Sequence, residues 1–167
     1  MCNALFLDLG GTLVRIEDDE IFTDAAGNVE LLPNAVEILM DRAQDFDAIF
    51  IITNQSGIEK GTLSIESAKS FIDQVNTATR GIITDYWVCP RIESPYRKPN
   101  PNMITGLADK HFVDVKQSVL VGDTEIDQQA AQNAGIGHFI WARDFFGRQD
   151  WMDYDSLDNV DKFLECG

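Results

Sequence analysis

FLDLGGTLV, residues 6–14, is the stretch from which the fold of this chain can be predicted. The apolar run that begins at Ala4 is typical of a strand buried in a parallel sheet, and it ends on an acid, Asp8. Gly10 and Gly11 follow, and glycine lets the backbone turn sharply and approach a ligand closely. Open α/β sheets bind their ligands at the carboxyl ends of their strands. The stretch therefore predicts a central strand that carries a functional carboxylate.

Four more apolar segments follow, and they alternate with stretches whose apolar residues recur at helical spacing. The further predicted strands cover residues 48–54, 82–89, 118–123 and 138–142. The predicted helices open at Leu32-Pro33-Asn34, after Ser64 as N-cap, before Met103 and near Thr124, and the last of them ends at Gly135. The alternation predicts a Rossmann-like α/β fold, a three-layer sandwich with a mainly parallel sheet of about five strands.

Two segments depart from this alternation. Residues 15–30 show no sustained period, which predicts an irregular loop or a small hairpin with a turn at Gly27-Asn28. Near the end of the sequence, the spacing of apolar residues between Leu157 and Leu164 indicates a short helix.

Length and composition are those of a globular protein. The 167 residues, 44% of them hydrophobic, indicate a single domain that covers residues 1–167. No apolar run reaches the ~18 residues of a membrane span, and the N-terminal sequence lacks the features of a secretory signal. Three cysteines, Cys2, Cys89 and Cys166, are too few and too scattered for a disulfide framework or a zinc cluster. We therefore expect a cytoplasmic protein without a membrane partner.

The chain is strongly acidic, with 28 acidic against 13 basic residues and a formal net charge of −15 at pH 7. Such a field repels the phosphates of nucleic acids, so we expect no nucleic-acid partner. A small phosphorylated anion can still bind where a metal ion and a few cationic side chains offset the field. The sequence is compatible with a monomer or a small homo-oligomer.

The polar residues that suggest chemistry all follow a predicted strand or precede a predicted helix. They are Asp8, Thr53, Asn54, Arg97, Lys98, Gly122, Asp123 and Asp127. Singly, each has a structural explanation; Asp123, for example, could be a helix N-cap. In a parallel sheet, however, these positions meet at one edge, and together they predict a site there.

This set of motifs resembles the haloacid dehalogenase superfamily of aspartate-nucleophile phosphatases. In chain order, the matching residues are Asp8 with the following Gly-Thr, then Thr53, then Lys98, and finally Gly122-Asp123 with Asp127. The resemblance implies the superfamily's core without a large cap domain, because the spaces after the first and second motifs are short. The site would then be open and bordered by residues 15–30 and 90–97.

TNQSGIEKG (53–61) and RKPNPNM (97–103) look like one branch of that superfamily. This branch contains histidinol-phosphate phosphatase, heptose-bisphosphate phosphatase and the phosphatase domain of polynucleotide kinase-phosphatase. Some members carry a zinc loop before the Arg-Lys pair. Only Cys89, followed by Pro90 and Arg91, remains there in this chain, so we expect no zinc.

The residue types account for the chemistry that the resemblance implies. Asp8 would attack phosphorus and form an aspartyl-phosphate. Mg²⁺ prefers oxygen ligands and would be held by Asp8, the Gly10 carbonyl and Asp123. Asp127, one helical turn after Asp123, would orient a metal-bound water or Lys98.

The phosphate itself needs hydrogen-bond donors and positive charge. The residues predicted to bind it are Gly11, Thr53, Asn54 through nearby backbone amides, Arg97 and Lys98. Of these, Thr53 and Lys98 are also predicted to assist catalysis, and Arg97 could hold a second anionic group of the substrate through its planar fork.

Gly10 departs from the family pattern, because phosphatases of this superfamily carry a second aspartate at that position. That aspartate protonates the leaving oxygen and then activates the hydrolytic water, and such groups contribute about 10²–10⁴-fold. Glycine keeps the carbonyl but has no proton to offer. Replacing Gly10 by aspartate is therefore expected to raise turnover.

Three functions remain compatible with this departure. The first is a Mg²⁺-dependent phosphohydrolase that acts on a small phosphorylated metabolite, with Glu17 or Asp18 supplying the proton. The second is a phosphate-ligand-binding or regulatory protein with little turnover. The third is another reaction on the same aspartate, such as dehalogenation or cleavage of a C–P bond.

Overall fold

The computed structural model describes residues 2–148 of the chain. The strands in this part are β1 (Ala4–Leu7), β2 (Ile16–Glu17), β3 (Glu20–Ile21), β4 (Ala48–Asn54), β5 (Asp85–Cys89), β6 (Val119–Gly122) and β7 (His138–Trp141). The helices are α1 (Ala35–Arg42), α2 (Gly57–Lys60), α3 (Ile65–Ala78), α4 (Asn102–His111), α5 (Glu125–Ala134) and α6 (Ala142–Phe145). Short 3₁₀ turns cover Ala43–Asp45 and Val115–Gln117.

Five strands form the main sheet in the order β5-β4-β1-β6-β7, and every neighbouring pair is parallel. β1 lies in the middle, where Leu5 is opposite Ile49 of β4 and Val119 of β6. All four residues of β1 are fully buried, as expected for a strand covered on both faces. The predicted five-stranded parallel sheet is confirmed.

Side chains of β1 alternate between two hydrophobic cores, one on each face of the sheet. Leu5 and Leu7 pack in the core that α1 and α3 cover. Ala4 and Phe6 point to the opposite core, which α4 and α5 cover. This alternation follows from the two-residue period of a strand, and it confirms the three-layer arrangement.

Several predicted boundaries are confirmed by their caps. The Ser64 side chain accepts a hydrogen bond from the Ser67 amide at the start of α3, and Gly135 ends α5 with a φ of 77°. Of the two alternatives for residues 15–30, a small hairpin is present, because β2 and β3 pair in antiparallel fashion. The helix predicted near 157–164 lies outside the described residues.

The third predicted strand of the main sheet begins three residues later than the sequence suggests. The Asn76 side chain binds the backbone that precedes β5, because its Oδ1 accepts from the Ile83 amide at 3.0 Å. Thr84 Oγ1 accepts from the Ile49 amide of β4, also at 3.0 Å. The amides of Ile83 and Ile49 thus bond to side-chain oxygens in place of strand carbonyls, and Ile82 and Ile83 pack against the core without joining the strand.

Within residues 2–148, we find no helix with the length and apolar character that a membrane span requires.

Candidate active site

Three neighbouring strands bring the predicted residues to one edge of the sheet. Asp8 follows β1, Thr53 and Asn54 end β4, and Asp123 follows β6. The Asp8 amide donates to the Val121 carbonyl at 3.1 Å, which fixes the end of β1 against β6. Asp8, Thr53, Lys98, Asp123 and Asp127 line one cavity of about 260 Å³, as the convergence of strand ends predicts.

Lys98 is buried at the centre of this group and bridges two carboxylates. Its Nζ lies 2.8 Å from Asp8 Oδ1 and 2.7 Å from Asp127 Oδ1, and it also donates to the Ile52 carbonyl at 3.2 Å. Burial alone would lower the pKa of Lys98, but the charges of Asp8 and Asp127 outweigh it and raise that pKa. Lys98 is therefore an ammonium ion held between two acids.

Asp8 is ionised in this setting. Burial acts to raise its pKa, whereas the Lys98 charge and several hydrogen bonds lower it, and the net pKa of Asp8 is below its ordinary value. The Thr12 hydroxyl donates to Asp8 Oδ2 at 3.1 Å and helps to orient the carboxylate. An ionised, oriented carboxylate is what nucleophilic attack on phosphorus requires.

A second carboxylate, that of Asp123, lies next to Asp8, and its negative charge is poorly compensated by its surroundings. Burial, followed by the negative charge of Asp8, raises the pKa of Asp123 to about 9. Oxygens of Asp8, Asp123 and Asp127 lie within 4.8 Å of one another. Three carboxylates and the single ammonium of Lys98 leave an excess of negative charge that a divalent cation would neutralise. An all-oxygen cluster of this kind fits a hard ion such as Mg²⁺.

Gly11 makes room for the Asp123 carboxylate. Its φ is +80°, and a Cβ at this position would collide with Asp123 Oδ2. Any side chain at position 11 would therefore displace the carboxylate that the cation is predicted to need. Gly11 thus lies beside the predicted metal site, and its role in binding phosphate stays a prediction.

The two carboxylate oxygens of Asp127 bind different partners. Oδ1 pairs with Lys98, whereas Oδ2 accepts from the backbone amides of Asp123 at 3.2 Å and Thr124 at 3.3 Å. The second set belongs to the capping box that starts α5. The start of this helix therefore helps to fix where Lys98 is held, and the role of Asp127 in positioning Lys98 or a metal-bound water stays a prediction.

The Asn54 side chain has a partner that the sequence did not suggest. Its Nδ2 donates to the Lys98 carbonyl at 3.1 Å, and its Oδ1 accepts from the Lys98 amide at 3.0 Å. This reciprocal pair fixes the backbone that carries Lys98. Contact of phosphate with backbone amides near Asn54 stays a prediction. The Asn54 side chain itself is already hydrogen-bonded to the Lys98 backbone through both of its polar atoms.

Gln55 is a further site residue that sequence reasoning missed. Its Nε2 donates to the buried Thr53 Oγ1 at 2.8 Å, so that the hydroxyl hydrogen of Thr53 is directed elsewhere. The two-residue spacing along an extended chain places both side chains on one face, and this spacing is the signal that could have identified Gln55.

Arg97 lines a neighbouring cavity of about 470 Å³, together with Lys60, Ser56 and Asn54. Its Nη1 is buried and has no hydrogen-bond partner among residues 2–148. A buried donor of this kind is costly to leave unpaired. Arg97 therefore offers hydrogen-bonding capacity beside the Asp8 cavity.

The β2–β3 hairpin covers Gly10. A Cβ on Gly10 would lie 2.8 Å from Ile16 Cγ2 and 3.4 Å from Ile21 Cγ1, so these isoleucines fill the space that a side chain there would use. At the turn of the hairpin, Asp19 lines the Asp8 cavity and Asp18 lines only the neighbouring one.

The two residues predicted to supply the proton are therefore not placed for it. Glu17 is absent from the lining of both cavities, and Asp18 is absent from that of the Asp8 cavity. The sequence could not distinguish the acids of a four-residue run, because a two-residue turn alone decides which of them points inward.

The comparisons with known proteins agree with one another on the family of this chain. A family model described as polynucleotide kinase 3 phosphatase matches residues 3–152. D-glycero-alpha-D-manno-heptose-1,7-bisphosphate 7-phosphatase of Burkholderia mallei is 34% identical in an alignment of length 151, and the match covers 80% of this chain and 76% of that protein. The corresponding beta-heptose enzyme of Rhodopseudomonas palustris is 36% identical in an alignment of length 105, and the match covers 54% of this chain and only 58% of that protein.

A solved structure agrees in fold. D,D-heptose 1.7-bisphosphate phosphatase from B. bronchiseptica, complexed with magnesium and phosphate, matches with a TM-score of 0.73 and 21% identity, over 99% of each chain. The family match and the identity to the Burkholderia mallei enzyme carry the assignment. The chain belongs to the polynucleotide kinase 3 phosphatase family, in the heptose-bisphosphate phosphatase branch of the haloacid dehalogenase superfamily, and is by family a phosphoric monoester hydrolase.

Proposed function

We propose that this chain is a Mg²⁺-dependent phosphatase that removes phosphate from a small sugar phosphate through an aspartyl-phosphate on Asp8. The observation that carries the proposal is the ionised Asp8, 2.8 Å from the Lys98 ammonium and beside the carboxylate of Asp123. A nucleophile, a fixed cation and a set of metal-type ligands thus share one cavity.

In the first step, an Asp8 oxygen attacks phosphorus, and the bond from phosphorus to the leaving oxygen breaks. Lys98 stays within contact of Asp8 and offers positive charge to the phosphoryl oxygens, and the Thr53 hydroxyl donates to one of them. Asp8, Asp123 and the Gly10 carbonyl would hold Mg²⁺, which when bound neutralises the charge of the phosphate and its carboxylate neighbours. Water then attacks the aspartyl-phosphate and regenerates Asp8.

Arg97 supports a substrate with a second anionic group. Arg97 and Lys60 line the cavity next to that of Asp8, and the buried Nη1 of Arg97 has no hydrogen-bond partner in the described part of the chain. The Burkholderia mallei and Rhodopseudomonas palustris relatives are named for heptose 1,7-bisphosphates, which carry two phosphates. We therefore propose a sugar bisphosphate, with the reacting phosphate at Asp8 and the other near Arg97.

Gly10 supports one alternative, a phosphate-ligand-binding protein with little turnover. Glycine has no acid to protonate the leaving oxygen, and Ile16 and Ile21 occupy the space above it. The metal-type ligands and Lys98 would remain useful for binding alone. A phosphatase releases inorganic phosphate from its substrate, whereas the alternative protein only binds the phosphorylated ligand.

The test is release of inorganic phosphate from the alpha and beta anomers of heptose 1,7-bisphosphate, from sugar monophosphates and from p-nitrophenyl phosphate. We expect release that requires Mg²⁺, disappears in Asp8→Asn, and favours a bisphosphate over a monophosphate. Arg97→Gln should reduce that preference while release from p-nitrophenyl phosphate is retained. Binding of a bisphosphate without release above the Asp8→Asn level would contradict the phosphatase and support the binding protein.

A further inference from the structure

Position 10 cannot supply a proton-transfer group, either from its own side chain or from a polar neighbour. Gly10 has no side chain, and the nearest atoms to a Cβ built there belong to Ile16 and Ile21. Both isoleucines come from the β2–β3 hairpin, where they face each other across the two strands. The space is thus closed by hydrocarbon.

The Asp8 cavity nevertheless contains one acid that has no assignment. Its carboxylates are Asp8, Asp19, Asp123 and Asp127. Asp8 is the proposed nucleophile, Asp123 belongs to the predicted metal site, and Asp127 is bonded to Lys98 and the start of α5. Among residues 2–148, the Asp19 side chain makes neither a hydrogen bond nor an ion pair, so no contact within the protein occupies its carboxylate at the cavity.

The hairpin holds Asp19 over the cavity in a defined conformation. Asp18 and Asp19 form its two-residue turn with φ values of 52° and 63°, a left-handed geometry that aspartate tolerates better than most residues. Glu20, the next residue, accepts a hydrogen bond from the Thr62 hydroxyl at 2.8 Å and ties the hairpin to the segment after α2. Ile16 and Ile21 anchor its other side on Gly10.

We infer that Asp19 is the general base of the second half-reaction, in place of the side chain that position 10 lacks. This inference rests on the proposed phosphatase function. Water attacks the phosphorus of the aspartyl-phosphate and gives up one proton to the Asp19 carboxylate. The bond between phosphorus and the Asp8 oxygen breaks, and its electron pair returns to Asp8. The exposed Asp19 then passes the proton to solvent.

The same geometry leaves the first half-reaction without a dedicated acid. The leaving oxygen takes its proton from water in the open cavity, so the rate of this step depends on how well the oxygen stabilises negative charge. Loss of Asp19 should therefore slow breakdown of the intermediate more than its formation.

The experiment compares Asp19→Asn with Glu17→Gln, which removes the same charge from the same hairpin at a residue that lines neither cavity. Turnover of p-nitrophenyl phosphate and acid-quenched phosphoenzyme are measured at saturating Mg²⁺. In Asp19→Asn we expect kcat to fall by about 10²-fold and phosphoenzyme to accumulate, with Glu17→Gln like wild type.

A second variant separates a chemical role from a structural one. Asp19→Gly suits the left-handed turn, which keeps the hairpin intact, and added formate can occupy the vacated space. We expect formate to raise kcat of Asp19→Gly and to leave wild type and Glu17→Gln unchanged.

If both Asp19 variants turn over like Glu17→Gln, the inference is overturned and the phosphatase function stands. A wild-type chain with no release above Asp8→Asn would overturn both. A drop in kcat without accumulation of phosphoenzyme and without rescue by formate would also overturn the assignment of Asp19 as base.

Discussion

Lys98 shows how burial changes what an ion pair is worth. It is held between Asp8 and Asp127 with 4% of its side chain exposed, whereas Lys110 makes a 2.8 Å pair with Asp85 with 65% exposed. Removing one partner of a buried pair strands the other charge away from water. Removing an exposed partner costs little, because water and salt already screen the pair.

We predict that Lys98→Met lowers the free energy of unfolding of the metal-free protein by about 3–5 kcal/mol and abolishes turnover. Lys110→Met, the matched control, should cost about 1 kcal/mol or less. Urea unfolding of the two variants checks this. Equal losses would contradict the view that Lys98 neutralises buried carboxylates.

Restoring the missing aspartate is not expected to restore catalysis. Although the sequence alone suggests that Gly10→Asp raises turnover, a Cβ there would lie 2.8 Å from Ile16 Cγ2. We predict that Gly10→Asp costs about 1–3 kcal/mol through overpacking and does not raise kcat. The double variant with Ile16→Ala should recover stability relative to Gly10→Asp. Higher kcat in the single variant would show that the hairpin yields easily.

Asp123 should make the metal response depend on pH. Its pKa in the folded, metal-free protein is raised from 3.8 to about 9, so the native state retains a proton that the unfolded chain has released. Its contribution to stability is therefore lost as pH rises through this window, and Mg²⁺, which competes with the proton, should stabilise more at the upper end.

Thermal unfolding with Mg²⁺ or with chelator, at both ends of that window, checks this expectation. Asp123→Asn should remove most of the pH dependence of the increase in unfolding temperature that Mg²⁺ causes. If Mg²⁺ raised the unfolding temperature of wild type equally at both ends of this pH window, the placement of Asp123 in the metal site would be contradicted.

At the level of elements, the loop before α4 is held by the end of β4. The Asn54 side chain makes two hydrogen bonds to the backbone of Lys98. Because these bonds position Lys98 without touching its ammonium, we predict that Asn54→Ala lowers kcat by about tenfold or more while Lys98 remains charged.

Asn100→Ala is the control for this element, since the exposed Asn100 side chain donates to the Ser94 carbonyl within the same loop and, among residues 2–148, to nothing else. Steady-state kinetics of both variants tests the prediction. A loss of activity in Asn100→Ala equal to that in Asn54→Ala would show that general loosening of the loop, and not the clamp on Lys98, matters.

Elements with a strong periodic signal were predictable, and those fixed by individual hydrogen bonds were not. The strand that begins at Ala48 is apolar as far as Ile52, so burial on two faces follows from its composition. The start of β5 depends on Asn76, and the place of Lys98 depends on Asn54. Such side-chain-to-backbone bonds leave no periodic pattern in a sequence.

In the candidate active site, the β2–β3 hairpin was likewise not predictable from sequence periodicity. Its strands have two residues each, too short for a period, and its turn alone selects Asp19 instead of Asp18 or Glu17. The strand-end residues, in contrast, were predictable, because the parallel topology brings Asp8, Thr53 and Asp123 together whatever their local contacts.

For the whole molecule, the net charge of −15 bears on the class of substrate. The family model is named for a polynucleotide phosphatase, but a long polyanion would meet an acidic surface. A small sugar phosphate needs only the local cations at Lys98 and Arg97, together with the metal. We therefore keep the prediction that nucleic acid is not the substrate.

An aspartyl-phosphate on Asp8 can be tested by trapping the phosphoryl group there. Wild type is mixed with Mg²⁺ and p-nitrophenyl phosphate, quenched in acid, digested and examined by mass spectrometry. We predict phosphorylation on the peptide that contains Asp8, dependent on Mg²⁺ and absent from Asp8→Asn. Phosphate release in wild type with no label on Asp8, or with equal release from Asp8→Asn, would contradict an aspartyl-phosphate at this position.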